Sequence, residues 1–399
     1  MIHSSYYRPR YYPYNSGASA EIDRLQNLSA TLTINRDKIK EIGRDGMIDW
    51  RLKIPSLRVS ATQLEYGGLE FWRKLANKAD SVVTLSLNDF KTAMGDIAGY
   101  KTDDAGTFLG TIWYPKLRLS SFNINIGDPQ AIIERSFEFA GEDEIILLNN
   151  NKYLIQRSFS VGTGSNTAIT ISDGSTYPHP VLDPDNSASY LLRVVRERAG
   201  VTTDLVYTTD YTYNNSTHIA TIVTTTAGDI IKVFWSATTA GTQTFFTNND
   251  TDAAALLADQ ASIYLESANY VYKLQTVSIA VNFDRTDYYE IGSNTVIQRG
   301  VRNKTVTVTL GRILEAYTIE EILRNVNGAS WGKIDTRKFN DNFALVVKLY
   351  NSNAKTSFLM KYHITNLAPT SMEDGVTLDD YVTRNATLES EDMIISTVE

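Results

Sequence analysis

The feature that most constrains this chain is that it states one pattern twice. Arg24-Leu25-Gln26-Asn27-Leu28-Ser29, through Arg36 to Glu41-Ile42-Gly43, returns 249 positions later as Lys273-Leu274-Gln275-Thr276-Val277-Ser278, through Arg285 to Glu290-Ile291-Gly292. A second block keeps that offset: Arg135, Glu142-Asp143, Ile145 and Ile146 return as Arg384, Glu391-Asp392, Ile394 and Ile395. Two matches at opposite ends of a unit imply two whole domains of nearly equal length. Each copy far exceeds the roughly 20–50 residues of a solenoid repeat, so each can hold its own core. Two copies of one module in a chain point to rotational pseudo-symmetry, and so to assembly ahead of catalysis.

Four segments follow: a Tyr/Pro/Arg-rich lead over 1–23, a first copy over 24–150, a Thr-rich insertion over 151–271 and a second copy over 272–399. The lead, with Tyr11-Tyr12-Pro13-Tyr14, shows no period and reads as an extended arm or a disordered tail. In the insertion, the runs Asp204 to Thr212, His218 to Thr225 and Asp229 to Ala237 read as successive antiparallel strands separated by turn signals. Within the copies, Ala30, Leu32 and Ile34 alternate with Thr31 and Thr33, and Ile279, Val281 and Phe283 alternate with Ala280 and Asn282. Such a period marks a strand with one wet face. Near the copy ends, Ile133, Phe137 and Phe139 alternate with Glu134, Ser136 and Glu138, as Val382, Ala386 and Leu388 do with Thr383, Asn385 and Thr387. Arg135 and Arg384 interrupt those apolar phases. Helical spacing gathers Leu69, Trp72, Leu75 and Ala76 on one face, and Ile319, Ile322, Leu323 and Val326 on another. The expected fold is mainly β (α+β): two tandem β-sandwich or barrel domains, each with one packed helix, plus an inserted β-domain.

A leading strand running into Arg-(x)4-Glu-Ile-Gly, a hairpin, one helix and a late strand pair resembles the tail tube (major tail) proteins of tailed bacteriophages, here in a duplicated-domain form. The resemblance covers both copies and leaves the insertion aside. It implies a virion structural protein, assembled in the host cytoplasm, whose domains each give four strands to a ring barrel, three duplicated chains closing a pseudo-hexameric ring. Stacked rings would then conduct double-stranded DNA during ejection without binding it specifically. Implied partners are further copies of the chain and other tail proteins: tape measure, baseplate or tail tip, terminator and sheath. About 24 strands at ~4.8 Å spacing and ~40° tilt close a backbone circle about 48 Å across, leaving a bore of roughly 35–40 Å.

On that reading Thr31, Thr33, Glu134, Ser136, Glu138, Asn282, Thr383, Asn385 and Thr387 are lumen-facing, a surface of hydroxyls, amides and carboxylates that grips phosphate weakly. On a free β-sandwich the same residues would face solvent. Arg36, Glu41, Arg135, Arg285, Glu290 and Arg384 are candidates for inter-domain or inter-ring contacts. The paired hairpin charges read equally as solvated ions of little consequence. For Arg135 and Arg384, buried phases demand a carboxylate, on a neighbouring domain or within the same one.

Composition narrows the alternatives. The chain has no cysteine and a net charge of −8, which argues against disulfides, thiolate chemistry and an ordinary high-affinity grip on nucleic acid. No apolar run approaches the ~20 residues of a membrane span, and the N-terminus has no signal-peptide core, so no membrane partner is expected. His3, His179, His218 and His363 lack metal-ligand spacing, Gly162-Thr163-Gly164-Ser165 lacks a phosphate-loop lysine, and Asp183-Pro184-Asp185-Asn186 lacks a complete calcium-loop pattern. No enzyme, cofactor or metal is expected. A baseplate hub or tube-initiating ring, and a surface adhesin or carbohydrate-binding protein, remain as other functions.

Overall fold

The computed structural model describes residues 7–14, 19–34, 36–39, 49–128, 130–183, 189–199, 201–242, 254–265, 269–270, 274–288, 298–314, 318–324, 333–375 and 382–399. Among the described residues the chain is mainly β, with three short α-helices. It opens with β1 (Tyr7–Pro13), β2 (Ala20–Glu21), β3 (Leu25–Thr33), the hairpin β4 (Arg36–Ile39) and β5 (Asp49–Leu52), and β6 (Ser56–Leu64). Then come α1 (Glu70–Leu75), β7 (Thr84–Ser86), α2 (Leu87–Lys91), β8 (Gly95–Thr102), β9 (Phe108–Ile126), β10 (Glu134–Gly141) and β11 (Ile145–Leu148). The insertion supplies β12 (Tyr153–Val161), β13 (Gly164–Thr170), β14 (Arg193–Arg198), β15 (Val201–Asp204), β16 (Tyr211–Asn214), β17 (Ile219–Thr225) and β18 (Asp229–Ala237). The rest is β19 (Ala261–Leu265), β20 (Asn269–Tyr270), β21 (Leu274–Tyr288), β22 (Gln298–Ile313), α3 (Thr318–Arg324), β23 (Phe343–Tyr350), β24 (Phe358–Gly375), β25 (Thr383–Ser390) and β26 (Asp392–Ser396).

Each copy is two sheets threaded by one long strand. The first half of β9 pairs with β8 and β11 in an outer sheet, and its second half pairs with β10 in an inner one. In the same way β24 runs from β23 and β26 to β25. The two inner sheets then join edge to edge through β9 and β21. The product is one antiparallel sheet in the order β3-β6-β10-β9-β21-β22-β25-β24. It does not close on itself: β3 and β24 are its two ends.

The apolar phase of this sheet supplies Val59, Phe137, Phe122, Val281, Val308 and Leu388 to one core that runs through both copies. Helix α1 seals it, burying Phe71, Trp72 and Leu75. Trp72 meets Phe90, Phe122, Phe137 and, from the second copy, Tyr362, all edge to face, with centroids 4.9–6.3 Å away. Such aromatic pairs add to the area they bury. The expected face Leu69, Trp72, Leu75 and Ala76 is fully buried, but the helix ends early, at Asn77, which takes a left-handed φ of 54°. In the second copy Ile319 and Leu323 are buried and Val326 lies outside the described residues. The first copy has a second helix, α2, a single turn with a capping box between Ser86 and Asp89. Five residues are too few to show a helical period, so the sequence did not reveal it.

The lead segment differs from an arm. Over its described residues β1 pairs with β8 along seven positions, Tyr7↔Lys101 to Pro13↔Gly95, and with β2. Its hydropathy shows no alternation because both faces are covered: Tyr11 enters the central core, while Tyr12 and Tyr14 enter that of the insertion. Similarly β19 lies on β23 in the second copy's outer sheet, although its residues fall in the stretch read as insertion.

The insertion is a two-sheet unit, β12-β18-β14-β15 against β13-β17-β16. Its strands differ from the expected succession. Residues 205–210 turn rather than extend, because the Asp210 carboxylate accepts the Val206 amide and the Asp210 amide returns to the Val206 carbonyl. Moreover β17 and β18 belong to different sheets; Gly228, with φ 89°, makes the turn between them. The insertion's core continues into the outer sheet of the first copy through Ala98, Tyr100, Phe108 and Trp113.

At that seam the Asp96 carboxylate accepts the Trp113 indole N–H, the Lys116 amide and the Arg193 guanidinium from β14. The Tyr14 hydroxyl bonds the same carboxylate. Beside it Lys232 is buried, with its ammonium on the Pro13 carbonyl, and burial pushes its pKa down to about 7, against the attraction of Asp96. Unfolded Lys232 keeps its proton to near pH 10.4, so above pH 7 the unfolded chain binds more protons than the folded one. Stability therefore rises with pH between about 7 and 9.5 at this residue, and Lys232→Met flattens that rise. Denaturant titrations of both proteins across that range check it; equal slopes would refute it.

Candidate assembly surface: one polar sheet face and its two open edges

Because side chains alternate along a strand, the eight-stranded sheet turns its second phase away from the core as a largely polar face, interrupted at its margins by Leu64 and Ile313. Cross-strand register aligns it in rows. One runs Thr62, Ser136, Asn123, Ala280, Thr307, Glu389; a second runs Glu134, Asn125, Ser278, Thr309, Thr387, Ser371. The structure brings all nine residues read as lumen-facing onto this face. Thr31, Thr33, Glu134, Asn282 and Asn385 are exposed there, and Ser136, Glu138, Thr383 and Thr387 are half-buried. Glu138 holds Arg58, a neighbour the sequence did not single out. Asn123 and Asn125 were missed too, although they alternate with Phe122, Ile124 and Ile126.

The contact candidates fall into three groups. Arg285 does cross between the copies: its guanidinium donates to the carbonyls of Leu119 at 2.7 Å, Lys91 at 3.1 Å and Phe90 at 3.3 Å, the last two at the end of α2. Three helix-end and strand carbonyls around one cation form a charge-assisted clamp. It sits at the β9–β21 junction, where Ser278 also donates to the Asn123 side chain at 3.1 Å. Its counterpart Arg36 stands exposed on β4. Glu41 and Glu290 lie outside the described residues.

Arg135 and Arg384 find acids within the chain. Arg135 is fully buried and pairs with Glu65, equally buried, at 3.2 Å, while Gln63 accepts its Nε–H at 2.9 Å. The Tyr66 ring lies 4.7 Å from its guanidinium carbon. The Tyr362 hydroxyl of the second copy donates to the same Glu65 at 2.6 Å; burial first, then that carboxylate, raise its pKa well above the usual. The partner is therefore internal, and it fastens β24 to the first copy. Arg384 pairs with Glu320 of α3 at 2.9 Å and Asp374 at 3.1 Å, both in its own copy. Leu314 stands where the repeat would place Glu65, so in the second copy the acid comes from the helix instead, where Arg312 shares it. Single-copy sequence patterns could show that an arginine needed an acid but not which strand or helix would bring it.

The two ends of the sheet are unlike its middle. In β21 the apolar phase Val277, Ile279 and Val281 is buried, covered by β9. The same phase in β3, Leu28, Ala30 and Leu32, is only half-buried, as is Met372 at the opposite end. Among the described residues no three of His, Asp and Glu converge as metal ligands. Pro184, Asp185 and Asn186 lie outside the described residues. His179 and His218, far apart in sequence, stack at 3.7 Å, with Nδ1 atoms engaged by Ser172 and Tyr213 respectively.

No family model matches this chain, and no curated protein matches it. Solved structures do. Over 37% of this chain and 95% of theirs it is similar to a chain of the anti-feeding prophage baseplate, six-fold symmetrised, at 12% identity and a TM-score of 0.28. Over 38% of this chain and all of theirs it is similar to a chain of the sheath–tube complex of an extracellular contractile injection system, PVC, in its extended state, at 16% identity and TM-score 0.28. A chain of the anti-feeding prophage tube-terminating cap gives 38%, 100%, 17% and 0.27. These neighbours are parts of contractile injection particles; at such TM-scores the likeness decides nothing about what this chain does.

The buried pair gives a direct test. Glu65→Gln leaves the Arg135 charge uncompensated and costs about 3–5 kcal/mol, whereas Arg135→Met with Glu65→Leu costs far less than the sum of its single changes. A double-mutant cycle by denaturant unfolding reads the coupling; additive losses would refute it.

Proposed function

We propose that this chain is a structural tail tube subunit, three copies of which close a ring around a channel for DNA. The observation that carries the reading is the eight-stranded sheet: both copies already lie side by side in it, one face is predominantly polar, and both ends are open. Three such sheets give 24 strands, and the circle they close, at ~4.8 Å spacing and ~40° tilt, is wide enough for a duplex about 20 Å across. Closure would also remove the edge strands, which otherwise invite uncontrolled pairing.

The polar face would form the wall. Hydroxyls and amides dominate it, Glu134, Glu373 and Glu389 add negative charge against Arg118, and Arg58 and Glu138 neutralise each other. A wall of this kind repels phosphate mildly and has few cations to release counterions against, so DNA passes without being held. The mechanism is passive: the chain supplies a smooth, closed, weakly anionic tube. Ring stacking and contacts with other tail proteins belong to the same proposal.

Electron microscopy of the purified protein at high concentration and moderate salt tests it. Hollow tubes or threefold rings with a bore of roughly 35–40 Å are expected. Rings that never stack would favour a hub or tube-initiating ring, and a glycan-binding monomer would overturn the reading in favour of an adhesin.

A further inference from the structure

The junction between the two copies doubles as a template for the junction between two chains. The repeat is preserved in the pairing itself. A bulge interrupts β3 between Leu25 and Asn27, and another interrupts β21 between Leu274 and Thr276, at an offset of 249. In β9 the residue skipped opposite β10 is Ser120, and in β24 the residue skipped opposite β25 is Thr370, at an offset of 250. Thus β21 is the counterpart of β3, and the end of β9 is the counterpart of the end of β24. Inside the chain, β21 lies on β9 with Ser278↔Asn125, Ala280↔Asn123, Val281↔Phe122 and Asn282↔Ser121.

Carrying those pairs through the two offsets gives Ser29↔Gly375, Thr31↔Glu373, Leu32↔Met372 and Thr33↔Ser371. We propose that β3 of one copy of this chain pairs antiparallel with β24 of a second copy in that register, and that Arg36 clamps the seam. Arg36 is the counterpart of Arg285, whose carbonyl acceptors at Leu119 and at the end of α2 have counterparts too. Pro369 pairs with Leu388 as Leu119 pairs with Phe139. The 3-10 turn Thr336–Lys338, leading to Phe339, precedes β23 as α2 precedes β8. Arg36 of one chain therefore donates to the carbonyls at Pro369 and about Phe339 of the next.

Three features of the single chain suit a second copy rather than another occupant. The half-buried Leu32 and Met372 meet each other at the seam, as Val281 and Phe122 do, fully buried, inside the chain. Polar residues fall opposite polar ones, Thr31 to Glu373 and Thr33 to Ser371, which continues the polar face across the seam. Finally, Arg36 is exposed while its counterpart is engaged at three carbonyls. The inference rests on the ring reading proposed above and specifies how the ring closes.

The cysteine-free chain permits a direct test. Chains carrying Thr33→Cys are mixed with chains carrying Ser371→Cys, assembled and mildly oxidised; a disulfide-linked dimer is expected, since directly opposed strand residues lie within bridging distance. Thr33→Cys mixed with Glu373→Cys, two residues off register, should not link. Ser121→Cys with Asn282→Cys in one chain is the internal control and should bridge within the monomer. Alongside, Arg36→Ala should raise the concentration needed for assembly about ten- to a hundredfold with the monomer's melting temperature unchanged. Arg285→Ala should lower that temperature. Assembly with linkage only in the off-register mixture would overturn the pairing, and assembly of Arg36→Ala at the wild-type concentration would overturn the clamp. A wild-type chain that stays monomeric while the internal control bridges would defeat the ring reading itself.

Discussion

Everything in this molecule depends on the antiparallel pairing of β9 with β21. A sheet edge carries a row of unsatisfied backbone donors and acceptors, and an edge left bare is a hazard in any β protein. Here the edge of each copy that faces the other is consumed by the other, from Val277↔Ile126 to Asn282↔Ser121. That single seam turns two four-stranded sheets into one, aligns the two polar phases as one face, and lets one hydrophobic core run beneath both. The polar links across it reinforce the alignment: Arg285 reaches back to three carbonyls of the first copy, and Tyr362 shares Glu65 with Arg135. The same pairing logic leaves the outer edges, β3 and β24, as equivalents of strands that are covered inside the chain.

The insertion breaks the pseudo-symmetry, and a few substitutions account for it. It packs against the outer sheet of the first copy, on Ala98, Tyr100 and Trp113, around the Asp96 carboxylate. Register places Ile97 opposite Tyr114 and Leu345 opposite Ile364, so those positions correspond to Val346, Lys348, His363 and Ala344 in the second copy. An apolar seat with a buried acid has become a half-buried face with a lysine, which pairs with Glu399, and a histidine. Burying those charges against a second β-unit would cost more than it returns without new partners. One copy therefore carries an extra unit, and the other keeps its outer sheet free of it.

How much of this was legible follows from the range of each signal. Alternation within a strand is local, so the polar face could be read residue by residue from Thr31, Ser136 or Asn385, and the helix face from Leu69, Trp72 and Leu75. The repeat offset exposed the pairs Arg36/Arg285 and Arg135/Arg384 without saying what they touch. Those partners are long-range: Glu65 comes from beyond β6, Glu320 from a helix, and the carbonyls of Phe90 and Lys91 from the other copy. Strands buried on both faces, such as β1 with Tyr11 and Tyr12 in different cores, lose the alternation that would announce them.

By itself the sequence determined that there are two copies, that each is built of half-wet strands with a short helix, and that one phase of those strands is hydroxyl, amide and carboxylate. These are properties of period and composition, fixed by neighbours a few residues away. Only the tertiary structure decided that the copies share one sheet, that residues 7–13 of the lead pair as a strand in the first copy's outer sheet, and that of the recurring arginines Arg285 clamps the seam, Arg135 is locked in the core and half-buried Arg384 is held by acids of its own copy. Those outcomes turn on which edge meets which and on what each burial leaves unsatisfied, and such contacts form between residues that no local pattern connects.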